Sequence, residues 1–481
     1  MAQVSIEQRP LYRVLPIGQQ IIFSIAHPTI VANKFKVKFI AEVHVSNTAI
    51  NLSVADDRIG TFKTTPNNAG VGMFDLRPIL ETFVSPDNEP YSAAPVVSDY
   101  KGTPAINQMF PIHLVDKYSL SNNSIKYFAI QFKIEYAETP DGTVLAPGDG
   151  SNTQNAENSA QYTMFNGVLQ YDDVLTLDSN DYGYNLGLFQ LTDSDSKFLS
   201  NAPTTQYARL TDYGTLPFLN YSPDPTTGLP VKVQSIKLTY YNSSDVQIGT
   251  ETVTSSNGTG GSSAVGNTNT LLSYFGAFPG NLRRDGLSTF AALVTAGTID
   301  GGYYTLHADI GTSFSVIGSL TYRINIICPN ERGYEGIRLT WLNQWGTWDY
   351  YTFNKKSTRT LTTNRTSYTQ LGGTWNESTF RIADYKGGKK NFRVNSTEKI
   401  KLNTGFVTEA EGVWFEELIN STEVYIVNGF STDTANTITN KYIDPVVLTT
   451  SSYVKKTIAN DKVMQYTIEI EKSKIQRTQS V

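Results

Sequence analysis

Catalysis needs convergent donors, and this chain supplies few of them. Its four histidines, His27, His44, His113 and His307, are isolated and lie inside strand-like runs. No His-Glu-X-X-His pair exists, and a zinc site needs three or four convergent ligands, so no metal ligands are expected. Cys328 is the single cysteine, which excludes an intrachain disulfide and a thiolate cluster within one chain. Asp178-Ser179-Asn180-Asp181-Tyr182-Gly183 opens like a calcium loop, but Tyr182 stands where an oxygen ligand is needed and no glutamate arrives at the twelfth position. Asp56-Asp57, Asp172-Asp173 and Asp193-Ser194-Asp195 read as turns. Glycoside hydrolysis needs only two carboxylates a few ångströms apart. Glu416 and Glu417 beside Trp414 are the candidates on paper, yet neighbours on a helix diverge by about 100° and cannot face one substrate together. A Gly-X-Ser-X-Gly elbow, a P-loop and a dinucleotide fingerprint are absent. Neither catalytic residues nor a cofactor is expected.

Aromatic stacking is the chemistry that remains. Three of the five tryptophans fall between Arg338 and Phe353. In that stretch Leu339 and Trp341 alternate with Arg338, Thr340 and Leu342, while Trp348, Tyr350 and Thr352 alternate with Asp349, Tyr351 and Phe353. Such a pattern predicts a β-hairpin turning through Gln344 to Thr347, with Gly346 in the left-handed position that short loops need. Trp345, Trp348 and Tyr351 are the candidate contact residues. Packing in a core or at a subunit interface is the favoured reading, and stacking on sugar rings is the alternative.

The elements around these rings read as β-sheet. Hydrophobic residues make up 39% and aromatics 12%, while charged residues are 17%, below the roughly 25% of an average soluble protein. A net charge of −5 without a basic block leaves out the footprint of a duplex-binding protein, so no sequence-specific nucleic-acid partner is expected. No window reaches the 18 or more apolar residues of a membrane span, and the first ten residues lack the pattern of a signal peptide. Residues Asn33 to Val45 place Phe35, Val37, Phe39, Ala41 and Val43 on one face, and Ile125 to Tyr136 places Phe128, Ile130, Phe132, Ile134 and Tyr136 on one face. Both predict strands of an antiparallel sandwich. Phe74 to Val84 predicts a short helix capped by Asp75, and Thr408-Glu409-Ala410-Glu411 is a capping box that opens the clearest helix, followed by a strand from Glu423 to Val427.

The expected fold is mainly β: several antiparallel β-sandwich-like domains with a few short helices. At 481 residues the chain exceeds one ordinary core. Glu138 to Gln161, rich in Pro, Gly, Ser and Asn, reads as a long exposed loop or linker. With a last part that starts around the strand Leu320 to Cys328 and runs through the aromatic hairpin, the domains read as 1–160, 161–329 and 330–481. The middle domain holds a hairpin of Val233–Tyr241 and Asp245–Val253, and a Gly/Ser/Thr-rich stretch from Thr254 to Thr270. The last domain closes with Val446 to Ile458 and Lys462 to Glu471 around Asn460-Asp461, where Met464, Tyr466, Ile468 and Ile470 share a face. No repeat of 20 to 50 residues is visible.

Three groups of phrases together resemble virion structural proteins of tailed bacteriophages. They are the run from Glu409 to Tyr425, the hairpin Arg338 to Asn343 with Asp349 to Phe353, and the stretch Asn460 to Ile468. The nearest likeness is to tail, neck or baseplate-type components of crAss-like and marine Bacteroidetes phages, and it extends to Lys197–Pro203 and Phe74–Val84. The resemblance implies a non-enzymatic subunit that forms a ring or adaptor in the tail, neck or baseplate region, assembled in the host bacterial cytoplasm and residing in the virion. Its partners would be copies of itself and other virion proteins, with the loops Glu138–Gln161 and Thr254–Thr270 as contacts. The alternative is a receptor- or carbohydrate-binding virion protein whose partner is a host-surface glycan; a glycosidase is the third reading.

Overall fold

A computed structural model describes residues 4–53, 57–90, 111–115, 117–170, 173, 175–220, 233–254, 270–285, 288–310, 316–327, 333–428, 443–450, 452, 454 and 464–477. The two alternating stretches near the N-terminus form the adjacent strands Phe35–Ser46 and Ile125–Ala137. They pair antiparallel, with Ala41 opposite Phe132 and Val43 opposite Ile130. These strands are central in a seven-stranded sheet completed by Val14–Pro16, Tyr162–Phe165, Arg58–Thr64 and two short strands. A three-stranded sheet of Ser5–Gln8, Ile22–Ala26 and Val71–Asp75 covers one face. Phe23 meets Phe132 at 5.6 Å and Tyr162 at 5.7 Å between ring centres, and Phe74 meets Phe132 at 6.0 Å. The expected sandwich is therefore present, with the interdigitated aromatic side chains of two inner sheet faces as its core.

The chain divides into two compact units, Met1–Ile327 with Leu342–Asp349, and Cys328–Trp341 with Tyr350–Val481. No sheet boundary falls near residue 160. Tyr162–Phe165 pairs with Ile125–Ala137, and Tyr118–Leu120 pairs with Leu272–Gly276, so chain segments from both sides of that point are interleaved. Of the two readings of Glu138–Gln161, the exposed loop fits and the linker does not, since all but Asn152 and Ser159 are exposed or half-buried. The segment folds back so that Val144–Leu145 and Glu157–Asn158 add to Ile125–Ala137, and buried Asn152 donates to the carbonyls of Ile134 and Leu145 at 3.0 and 3.1 Å. The Asn152 amide thus satisfies backbone carbonyls that burial would otherwise leave without a partner.

Elsewhere in the first unit, a six-stranded sheet includes, in order, Thr205–Ala208, Tyr322–Ile326, Tyr303–Ile310, Val233–Tyr241 and Gln247–Thr254. Burial alternates along Thr205–Ala208 and Tyr322–Ile326 and over most of Tyr303–Ile310 and Val233–Tyr241: Tyr304, Leu306, Tyr322, Ile324, Leu238 and Tyr240 point inward and are buried, while Tyr303, Arg323 and Tyr241 point outward. The expected hairpin turns at Asn242, whose Oδ1 accepts from the amides of Ser244 and Val246, with Asp245 in the left-handed region at φ 60°.

An eight-stranded sheet, made of second-unit residues apart from Leu342, Trp348 and Asp349, runs Trp348–Phe353, Ile337–Leu342, Val424–Val427, Ile443–Leu448, Thr467–Lys472, Gly388–Asn403 and Thr358–Gln370, with Gln476–Arg477 paired beside it. The helix Glu409–Asn420 begins at the expected capping box: the Glu411 amide donates to the Thr408 hydroxyl at 3.3 Å, and the Thr408 amide donates to the Glu411 carboxylate at 2.8 Å. It buries Trp414 against Trp341 at 4.9 Å and Phe415 against Tyr351 at 4.8 Å. Met464, Tyr466, Ile468 and Ile470 form the buried face that the alternation predicts.

Other expectations shift. The helix over Phe74–Val84 shrinks to Arg77–Leu80 with a 3-10 turn at Glu81–Phe83, because Phe74 and Asp75 are taken by the strand Val71–Asp75. Asp75 still accepts from the Arg77 amide at 3.1 Å. Phe35 is exposed rather than inward, since the register shifts between Phe35 and Lys38. The C-terminal strand expected from Val446 begins at Ile443 and ends at Leu448. The Thr254–Thr270 excursion (255–269), Cys328, Asp56, Asp172, and the Asn460-Asp461 turn lie outside the described residues.

Candidate interaction surfaces

The aromatic hairpin forms as expected and turns inward. Asn343 closes the turn, its amide donating to the Thr347 carbonyl at 2.8 Å while its Oδ1 accepts from Trp345 and Thr347 amides. Gly346 has φ 70°, and a Cβ there would stand 1.6 Å from the Asn166 carbonyl oxygen, so only glycine fits. Trp345 is 2% exposed and packs on Phe189 at 4.1 Å. Trp348 is fully buried, donates from Nε1 to the Asp87 carbonyl at 2.7 Å, and meets His113 edge-on at 5.0 Å. Neither ring offers a face to a sugar, which removes both as glycan-stacking residues in this conformation. Tyr351 is half-buried against Phe353, Trp414 and Phe415.

The other chemical candidates are likewise used locally. His27 caps the helix Pro28–Asn33, its Nδ1 accepting from the Ile30 amide at 3.3 Å. His307 stands 3.3 Å from Asp309, and burial lowers its pKa against the pull of that carboxylate. His44 is buried, and neither ring nitrogen has a hydrogen-bond partner among the described residues. The calcium-like stretch is a hairpin joining Leu175–Asp178 to Asp181–Tyr184, with Ser179 at φ 53°. Asp193 accepts from the Asp195 amide at 2.9 Å as a turn residue. Among the described residues, no group of three His, Cys, Asp or Glu side chains is placed to hold a metal ion, and no helix is long and apolar enough to cross a membrane. Glu416 and Glu417 are half-buried neighbours on the helix Glu409–Asn420.

Two surfaces that the sequence reading did not single out face solvent. The first is a β-ribbon. Thr358–Gln370 and Gly388–Asn403 pair along the whole length of the shorter strand. Among the described residues, the longer one has a further neighbour at Lys399–Asn403 and at Asn395–Ser396 alone. From Arg365 and Val394 outward the ribbon has no third strand among the described residues, a projection of roughly 20 Å at 3.4 Å per residue. Its base is pinned where Arg359 reaches Glu335 at 2.9 Å and Glu398 at 3.0 Å. Both faces are wet, so threonines rather than aliphatics supply the β-propensity.

The ribbon's tip is folded, not frayed. Thr374 donates its amide to the Arg381 carbonyl at 3.1 Å and its hydroxyl to the Thr379 carbonyl at 3.0 Å; the Ala383 amide donates to the Gly372 carbonyl at 2.9 Å. This scaffold holds apolar side chains outward: Trp375 is 82%, Ile382 83% and Tyr385 75% exposed, with Leu371 and Phe380 beside them in sequence. Residues 365–394 carry Arg365, Arg381, Lys386, Lys389, Lys390 and Arg393 against Glu377 and Asp384. That is a net +4 in a chain of net −5, so the other residues together hold −9.

The second surface is a cleft of about 510 Å³ on the outward face of the six-stranded sheet. Tyr207 and Thr205 line it from one strand, Arg323 and Asn325 from the next, and Tyr303 from the third. The turn Asn242–Asp245 and Gly301-Gly302 form its wall. Gly302 is required there, because a Cβ would lie 2.2 Å from the Tyr241 carbonyl oxygen. Tyr241 stacks on Tyr303 at 4.7 Å with planes 10° apart, and the Arg323 guanidinium lies 3.5 Å from the Tyr303 ring centre. Arg323 Nε donates to Asn325 Oδ1 at 2.9 Å, which fixes the guanidinium plane. Partial burial, with the hydrogen bond and charge of Asp245, pushes the Tyr303 phenol up.

No family model matches the sequence, and no curated protein matches it. Among solved structures the chain shows a likeness to E. coli alpha-2-macroglobulin in its native conformation, at 7% identity and a TM-score of 0.19, covering 83% of this chain and 22% of that one. Salmonella alpha-2-macroglobulin reacted with methylamine gives 7% identity and a TM-score of 0.18, covering 84% of this chain and 22% of that one. The chain thus spans about a fifth of the length of these proteins, and scores so low carry no inference about fold or function.

Proposed function

We propose that this chain is a non-enzymatic structural subunit of a bacteriophage virion, assembling with copies of itself and other virion proteins as a ring or adaptor in the tail, neck or baseplate region. The observation that carries the assembly role is the projecting ribbon with its preformed apolar tip. An isolated two-stranded ribbon is at best marginally stable in water. Removing Trp375, Ile382 and Tyr385 from water is worth about 1.5 to 3 kcal/mol per side chain. The tip is already hydrogen-bonded, so docking it costs little ordering entropy. Its positive charge suits an acidic partner surface. The virion assignment itself rests on the sequence resemblance.

Sedimentation velocity and electron microscopy of the full chain, with antibody labelling of phage particles, test this reading. The expected result is multi-copy rings, with label at the tail or neck, and loss of assembly in a W375S/I382S/Y385S variant whose melting temperature is unchanged. Dispersed monomers together with unlabelled particles would overturn it.

A further inference from the structure

We propose that the cleft on the outward face of the six-stranded sheet is a binding site for a neutral saccharide. A guanidinium alone would select an anion, and a carboxylate alone a cation. Here Arg323 and Asp245 line one cleft, which leaves no net charge to reward an ionic ligand. A polyhydroxylated ring satisfies both: its hydroxyls accept from the guanidinium and donate to the carboxylate.

The available valences agree. Among the described residues, Arg323 spends only Nε on a protein acceptor, so its two Nη groups keep their donors. Asn242 uses its Oδ1 on backbone amides and keeps its Nδ2 donors. The hydroxyls of Thr205, Ser243 and Tyr207 line the same space. Tyr207 is 53% exposed and is the one aromatic side chain of the cleft that does not stack on another ring or cation among the described residues, which suits it as a platform for the apolar face of a sugar. The column of Tyr241, Tyr303 and Arg323 holds the donors in place before a ligand arrives, the condition for recognition at low entropic cost. This inference is independent of the assembly role, since the ribbon contributes nothing to the cleft's lining.

The test is isothermal titration of the full chain with cellohexaose, mannohexaose and maltohexaose, with hexagalacturonate as the charged counterpart. At least one neutral hexasaccharide is expected to bind. Tyr207→Ala should weaken it tenfold or more. Asp245→Asn, which keeps a residue tolerant of the left-handed backbone, should weaken it by a similar factor without altering the thermal melt. The W375S/I382S/Y385S variant should bind as the parent does. Heat with none of the three neutral sugars would overturn the proposal. So would preferential binding of hexagalacturonate that Asp245→Asn strengthens, or neutral-sugar binding indifferent to Tyr207→Ala.

Discussion

His44 sits in the strand Phe35–Ser46, 2% exposed as a residue, with no hydrogen-bond partner for either ring nitrogen among the described residues. Burial is the largest influence on it and depresses its pKa; Glu42 and Asp57 pull the other way, and Arg58 and Lys133 add to the depression. The unfolded chain therefore takes up a proton near the ordinary value of 6.5 while the folded imidazole resists it. By linkage, the stability from this residue is complete above that pH and is lost as the pH falls below it. Urea midpoints at pH 7.5 and 5.5 should show a smaller acid-side drop for His44→Leu than for the parent. His307, shifted in the same direction, keeps part of the drop in the variant. Equal drops in the two proteins would sink this account. Whether a histidine is a ligand, a cap or a buried neutral ring depends on what lies across the sheet, and its sequence neighbours do not reveal that.

At the scale of elements, legibility followed how local the cause is. The helix Glu409–Asn420 was readable because its cap lies within four residues and its buried face repeats at i, i+4. Thr408→Ala should cost about 1 kcal/mol, read as a lower denaturant midpoint with an unchanged m-value. An unaltered midpoint would mean that the tertiary packing of Trp414 and Phe415 alone sets the helix start. The aromatic hairpin was also legible, turn included, but the direction its rings face was not. Whether Trp345 and Trp348 are covered is decided by Phe189, Asp87 and His113, more than 150 residues away in the chain. The ribbon escaped the sequence reading for the opposite reason. Hydrophobic alternation marks a strand with one dry face, and the pattern along Thr358–Gln370 has none. Its six threonines, at 358, 360, 362, 363, 366 and 369, are the main trace of it in the sequence. The cleft left a fainter trace, because its lining comes from three strands and two connecting segments, none contributing more than a few residues.

At the scale of the whole molecule, a compact unit is not continuous in sequence. The first compact unit ends at Ile327 and then takes back Leu342–Asp349. Within that unit the returning segment is a structural insert: Trp348 fills the space beside His113 and Asp87, Trp345 lies on Phe189, and Asn343 and Thr347 both donate to the Leu199 carbonyl, at 3.1 and 2.9 Å. Val168 donates its amide to the Gln344 carbonyl at 2.7 Å. A cut at residue 330 would separate Leu342–Asp349 from the rest of its compact unit. Omitting this insert would open two tryptophan-sized voids, each comparable to a Trp→Ala loss of about 3 to 5 kcal/mol, and would strip hydrogen bonds from buried carbonyls. That is comparable to the whole stability of an ordinary domain, about 5 to 15 kcal/mol. A chain of residues 1–327 should therefore be insoluble or melt without a cooperative transition, whereas residues 1–349 should recover a cooperative melt and near-ultraviolet signals from Trp345 and Trp348. If 1–327 melted as sharply and at the same temperature as 1–349, the insert would be peripheral, and the unit's core would have to be sought in its sheets alone.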